Sequence, residues 1–237
     1  MIPNFRGILM ALYTLFLATV AVLGLFVEPT GRLYMWIAGH LWGRVVLAIG
    51  GIQLVVKGGE HLNPKQPYVV CANHASQTDI PAIFGGLSVP VRFMAKKSLF
   101  FIPIFGWSMW LARFIPVNRG SSRKARASIR NAAKKVKNGP SVLVFPEGTR
   151  SPDGQIKKFK SGAFVLAVQA EVPILPVAIR GSFDVLSKYS VRPKPGVIEF
   201  IIGTPISTAG VAIGEKDSLR QQTRDVISQM FETGTPV

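Results

Sequence analysis

Residues 68–81, YVVCANHASQTDIP, decide the fold class. The run 68–72 is short, continuously apolar and rich in β-branched residues, as in a strand covered on both faces. Polar residues then end it. Ser76 and Thr78 offer helix caps, and Pro81 falls inside the first turn of the helix that should follow. Strand, short loop and helix in succession form the repeating unit of α/β sheets. His74 is thereby left on a loop beyond the carboxyl end of a strand, where such sheets present their ligand sites.

The same alternation continues along the chain. Strands are expected at 91–95, 114–117, 141–145, 174–179 and 197–202, and helices at 79–84, 98–111, 121–137, 160–170 and 215–231. The fold class expected is therefore α/β, with a mixed, largely parallel sheet flanked by helices and preceded by an N-terminal two-helix membrane-associating motif. Its first helix is read from residues 8–27, ILMALYTLFLATVAVLGLFV, a run without a charge. At about 1.5 Å per residue such a helix reaches roughly 30 Å, the thickness of a bilayer core. A secretory signal is the rival reading, but no small-x-small cleavage site follows the run and VEPTGR reads as a turn. The second segment, 33–56, is interrupted by His40, Arg44 and Gln53. His40 and Arg44 are spaced to share a helix face, with Trp36 and Trp42 nearby. An interfacial helix with its polar stripe at the headgroups fits this segment, and so does a buried helix with a snorkelling arginine. The division expected is 1–56 for the membrane-associated helices and 57–237 for the α/β domain.

Composition agrees with a membrane surface. The 237 residues are 48% hydrophobic and carry 28 Lys and Arg against 12 Asp and Glu, a net charge of +16. Between Arg92 and Lys160 lie 16 basic residues and only two acids, Glu147 and Asp153, so this region should face anions. In 121–137, SSRKARASIRNAAKKVK, a basic face lies over an apolar stripe. A solvated amphipathic helix and a helix facing anionic lipid both fit. A nucleic-acid binder would also carry such charge, but zinc-finger spacing, an RNP block and aromatic interleaving are all missing. The single cysteine, Cys71, excludes an internal disulfide and a cysteine-based metal site.

His74 and Asp79 lie five residues apart. A loop that folds back lets Asp79 accept a hydrogen bond from one imidazole nitrogen and leaves the other as a base. A hydrolase would need its own nucleophile, yet the chain has no GxSxG elbow, and Cys71 has the opposite strand parity to His74. The hydroxyl that His74 deprotonates is therefore assigned to the substrate. A second constellation, SVLVFPEGTRSPDG at 141–154, reads as a buried strand and a turn that carries Glu147, Gly148, Thr149 and Arg150 out of the sheet. Arg150 can grip phosphate bidentately, and the Gly148 backbone can approach a ligand closely. Arg119, in RFIPVNRG, stands at another strand end.

Together these blocks resemble the glycerolipid acyltransferases. NHASQTD matches the family's NHx4D block and FPEGTRS its FPEGTR block, while IPVNR and VPILPVAI are similar to two further blocks in the same order. The length and the two leading apolar segments are similar to the bacterial members that acylate lysophosphatidic acid. The resemblance implies that His74 is the general base and Asp79 its orienting partner. It implies that Glu147, Gly148, Thr149 and Arg150 hold the acceptor and Arg119 its phosphate, and that Lys96 or Lys97 of AKKSLF stabilises the oxyanion. Asn118 stands where the family often has Asp, which removes an Asp–Arg pair that would position Arg119. The partners implied are a phospholipid bilayer, lysophosphatidic acid and an acyl chain on coenzyme A or acyl carrier protein, with no cofactor, no metal and no nucleic acid. The location implied is the cytoplasmic face of a bacterial inner membrane.

Overall fold

The computed structural model describes residues 4–24, 38–117, 122–137 and 139–237, with the backbone alone for 38–40 and 122–126. Among the described residues, seven strands form one sheet: β1 (Ile52–Lys57), β2 (Val69–Ala72), β3 (Val91–Lys96), β4 (Ile115–Val117), β5 (Ser141–Val144), β6 (Ile174–Arg180) and β7 (Gly196–Ile202). Their order is β1-β7-β6-β2-β5-β3-β4. The five from β6 to β4 run parallel, β7 is antiparallel to β6, and β1 runs parallel to β7. The sheet is mixed and largely parallel, as the alternation of strands and helices predicts. The principal helices are α1 (Phe5–Leu23), α2 (Arg44–Ile49), α3 (Asp79–Gly86), α4 (Phe105–Leu111), α5 (Ser122–Lys137), α6 (Gly162–Ala170), α7 (Ser182–Val185) and α8 (Lys216–Thr233).

Side chains alternate across β2 and divide the core in two. Val70 and Ala72 pack with Leu47, Ile83, Phe93 and Met109 beneath α2, α3 and α4. Val69 and Cys71 pack with Ala132, Phe164, Ala167 and Ile227 beneath α5, α6 and α8. Every residue of β2 is buried, which is why its sequence shows no polar alternation.

The N-terminal third departs from expectation. Residues 38–43 form a π-helical turn, α2 follows, and the chain then reverses at Gly50–Gly51, where Gly51 adopts φ +71°. Residues 52–57 enter the sheet as β1, so the segment 33–56 is not one interfacial helix, and β1 runs across the boundary expected between 56 and 57. Two side chains of the segment bond to neighbouring helices, Arg44 while remaining exposed. Arg44 Nε donates to the Gly85 carbonyl at 3.0 Å, at the end of α3. Trp42 donates to Thr14 Oγ1 at 3.0 Å and meets Phe84 edge-on. Trp36 lies outside the described residues, and of His40 only the backbone is described.

The helix expected at 98–111 is broken. A 3₁₀ turn spans Lys97–Phe101 and α4 starts at Phe105. Pro103 lacks the amide that a continuous helix needs and restricts the residue before it. The apolar stripe of α5 packs inward through Ala132, Ala133 and Val136, leaving Arg130, Lys134 and Lys135 outward.

Candidate active site

All five parallel strands end at one edge of the sheet, and that edge collects the candidate residues. Beyond β2, the Asn73 side chain binds the backbone of Ile179 on β6 twice. Its Nδ2 donates to the Ile179 carbonyl at 2.9 Å, and its Oδ1 accepts the Ile179 amide at 2.7 Å. The strand end is thus pinned where the ladder stops, and the chain leaves it in a fixed direction for His74.

His74 Nδ1 stands 2.8 Å from Asp79 Oδ2. The same oxygen accepts the amides of Ala75 and Ser76, each at 2.8 Å, so the loop is wound around the carboxylate. The Asp79 side chain is wholly buried, while 15% of the His74 side chain is exposed. With Nδ1 held as the donor, Nε2 is the nitrogen left to take a proton. The ring also lies flat on Phe145, 3.8 Å between centroids and 11° from parallel, which fixes its plane. The hydroxyls nearest in sequence are already committed: Ser76 Oγ donates to the Leu186 carbonyl at 2.6 Å, and Thr78 Oγ1 bonds Ser76 Oγ. Thr78 occupies the N-cap position of α3 without a side-chain cap bond. The Cys71 thiol is buried in the second core, and that burial pushes its pKa up, away from thiolate chemistry.

The turn after β5 folds onto the histidine loop. Glu147 Oε1 accepts the His74 amide at 2.8 Å, and the Ser151 amide donates to the His74 carbonyl at 2.7 Å. Glu147 Oε2 accepts the Lys157 amide at 3.3 Å. Burial drives the Glu147 carboxyl up to about 7, against the pull of its two backbone hydrogen bonds and of Lys157, with Asp79 adding to the rise. Both of its oxygens serve the backbone, so its geometry suits positioning of His74 rather than the acceptor-holding role that the resemblance implies. Gly148 sits at φ +78°, and a Cβ there would come within 2.9 Å of Lys160 Nζ. The glycine makes room for that lysine. Lys160 is a cation that sequence reasoning left out, although the run KKFK at 157–160 carried the signal.

The remaining candidates fall in three groups. Thr149 is exposed, and Arg150 is half-buried, its Nη1 out of solvent and without a hydrogen-bond partner among the described residues. Lys96 ends β3 and Lys97 opens the following turn; both are exposed, and Lys97 Nζ lies 6.0 Å from the centroid of the Phe101 ring. Arg119 and Asn118 lie outside the described residues. Among the described residues, no group of three His, Cys, Asp or Glu side chains is arranged to hold a metal ion.

An apolar cavity of about 120 Å³ begins one residue beyond Asp79. Ile80 and Phe84 of α3, Phe93 of β3, Met109 of α4, and Leu17 and Ala18 of α1 line it. The site therefore joins a proton acceptor, a cationic rim and a hydrocarbon-lined space, which is chemistry suited to moving an acyl group onto a hydroxyl beside an anion.

Comparison with known proteins points the same way. The sequence model of the family described as acyltransferase matches residues 53–180, more than half of the chain. The mouse 1-acyl-sn-glycerol-3-phosphate acyltransferase alpha is 34% identical over 183 residues, which cover 76% of this chain and 64% of the relative. The 1-acyl-sn-glycerol-3-phosphate acyltransferase of Cocos nucifera is 34% identical over 179 residues, covering 75% and 56%. The chain thus spans less than two thirds of the length of these curated relatives. It also resembles the crystal structure of the 1-acyl-sn-glycerophosphate (LPA) acyltransferase PlsC from Thermotoga maritima, with a TM-score of 0.80 and 31% identity over 97% of this chain and 96% of that one.

Proposed function

The chain belongs to the acyltransferase family, and from that premise we propose that it transfers a fatty acyl group from a thioester of coenzyme A or acyl carrier protein to the sn-2 hydroxyl of lysophosphatidic acid, giving phosphatidic acid. The observation that carries the reading is the 2.8 Å contact between His74 Nδ1 and Asp79 Oδ2 in a loop that offers no hydroxyl of its own. His74 Nε2 removes the proton from the acceptor hydroxyl as its oxygen attacks the thioester carbonyl, and Asp79 stabilises the imidazolium that forms. The tetrahedral intermediate collapses, the C–S bond breaks, and the departing sulfur takes the proton back from His74. The ester and a free thiol are the products. A positioned base of this kind contributes about 10²–10⁴ in rate.

Arg150, Lys160 and Arg119 supply the charge that favours a phosphomonoester acceptor, with Lys96 or Lys97 toward the oxyanion. The fatty chain takes the apolar cavity. The co-substrate thioester is the only small molecule the step requires besides the acceptor. Membrane attachment follows from α1, whose inner residues Leu17, Ala18 and Ala21 are buried on the domain while Phe5, Ile8, Leu12, Phe16, Val20 and Leu23 form an outward apolar stripe. Asn4, which caps this helix, also donates to the Pro193 carbonyl at 2.9 Å. A helix held along the domain in this way suits one leaflet rather than a span. The cytoplasmic leaflet of a bacterial inner membrane fits, since acyl thioesters arise in the cytosol and the basic domain prefers that side.

Thioester-dependent acylation by the detergent-solubilised protein tests the reading, with lysophosphatidic acid offered beside lysophosphatidylethanolamine, lysophosphatidylglycerol and lyso-ornithine lipid. Preference for lysophosphatidic acid is expected. Transfer confined to another lysolipid would overturn the acceptor assignment and keep the chemistry.

A further inference from the structure

The chain from Ser98 to Ala112, SLFFIPIFGWSMWLA, contains no charged residue, yet much of it is on the outside. Phe101 is 70% exposed, Trp107 53%, Trp110 51% and Ile102 44%. The one polar side chain of α4, Ser108, is turned inward, where its hydroxyl donates to the Phe105 carbonyl at 2.7 Å. Exposed aromatics this dense are unusual on a soluble face. Basic residues bracket the segment: Lys96 and Lys97 precede it, Arg113 follows it, and all three are exposed.

This segment adjoins α1. The two helices pack against each other and form facing walls of the apolar cavity, α1 through Leu17 and Ala18, α4 through Phe105 and Met109. We propose that residues 101–110 are a second membrane-inserting element, which joins the outer stripe of α1 in one docking surface for a leaflet containing anionic lipid. Three features select a bilayer over a protein partner. The exposed tryptophans suit the headgroup boundary, where an aromatic ring meets both media. The flanking charge is uniformly basic, which complements anionic headgroups. The segment also packs against α1, which carries an outward apolar stripe of its own. The segment is too short to span a membrane, and Pro103 keeps it a compact wedge. With the cavity walled by the two inserted helices, a fatty chain held in it sits at the depth of the leaflet's acyl chains.

The inference rests on the reading of α1 as a helix lying in one leaflet, and the test separates the two. Flotation of the full chain would be measured on vesicles of phosphatidylcholine with phosphatidylglycerol, together with tryptophan emission on vesicles whose acyl chains are brominated. The emission lost in Trp107→Phe isolates that indole. It should be blue-shifted on vesicles and quenched by bromine. Phe101→Ser and Trp107→Ser should each weaken vesicle partition roughly tenfold, the amount expected when one half-exposed aromatic no longer enters hydrocarbon, while melting stays unchanged. Trp107 emission indifferent to bromolipid, in a protein whose flotation falls with Leu12→Ser and Phe16→Ser, would overturn the inference and leave the α1 reading standing. A chain that floats under no condition would overturn both.

Discussion

Replacing Asp79 by Asn separates charge from shape at the heart of the site. Asp79 Oδ2 accepts three hydrogen bonds, from His74 Nδ1 and from the amides of Ala75 and Ser76, while Oδ1 is buried without a partner among the described residues. An Asn carbonyl in the Oδ2 position can still accept all three, so the loop and the histidine tautomer are expected to survive. What disappears is the negative charge facing the imidazolium. For charge centres about 4 Å apart at an effective dielectric of about 20, that attraction is about 4 kcal/mol, or roughly 10³ in rate. The loss should fall on kcat, because the imidazolium forms only during the reaction, and KM for acceptor and thioester should move little. The Asn amide nitrogen, placed where Oδ1 now finds nothing, should lower stability by about 1–3 kcal/mol. Steady-state acylation and thermal melting measured on the same preparation check both. A variant within tenfold of wild-type kcat would refute the role given to Asp79, and a rise in KM at constant kcat would show it binding substrate instead.

Three further outcomes are expected. Glu147 is held up at about 7 in the fold against about 4.5 when unfolded, so the folded state binds the extra proton between those values and stability falls as pH rises through that window. Glu147→Gln should abolish that slope, worth roughly 3 kcal/mol in full, as measured by melting across pH 4.5–8; an unchanged slope would show that this carboxyl ionises freely. Ala18→Phe should fill part of the cavity and shift donor preference to shorter chains, by about fourfold for each methylene excluded, read from competition between thioesters of different length; an unaltered preference would place the acyl chain elsewhere. Asn73→Ala should cost about 2–5 kcal/mol by leaving the Ile179 amide and carbonyl unmet, and urea unfolding would show it.

The sequence was most legible where local chemistry and tertiary structure agree. β2 and β5 are buried on both faces, so their apolar runs announce them, and the loops after them carry His74 and Glu147 to one edge for purely topological reasons. β1 was not legible, because an edge strand that follows two helical segments without a polar break looks like their continuation. Only Gly50–Gly51 marks the reversal there. Arg44 and Trp42 were ambiguous for a related reason: a cation and an indole near an apolar run suit a membrane interface and a helix packed on the domain equally, and only the tertiary hydrogen bonds decide. Glu147 was visible as a site residue, but its inward turn was not, since one spacing serves a carboxylate that faces a ligand and one that binds a neighbouring backbone. Lys160 entered the site through the left-handed turn at Gly148, a contact that sequence distance conceals.

The measurement that bears most directly on this account is acyl transfer from a long-chain thioester to lysophosphatidic acid, compared between the wild type and His74→Ala at matched folding and vesicle binding. Product from the wild type, reduced by about 10²–10⁴ in the variant without loss of either substrate's binding, is the result predicted. Equal turnover by His74→Ala would contradict the central claim, that His74 backed by Asp79 takes the proton from the substrate's own hydroxyl.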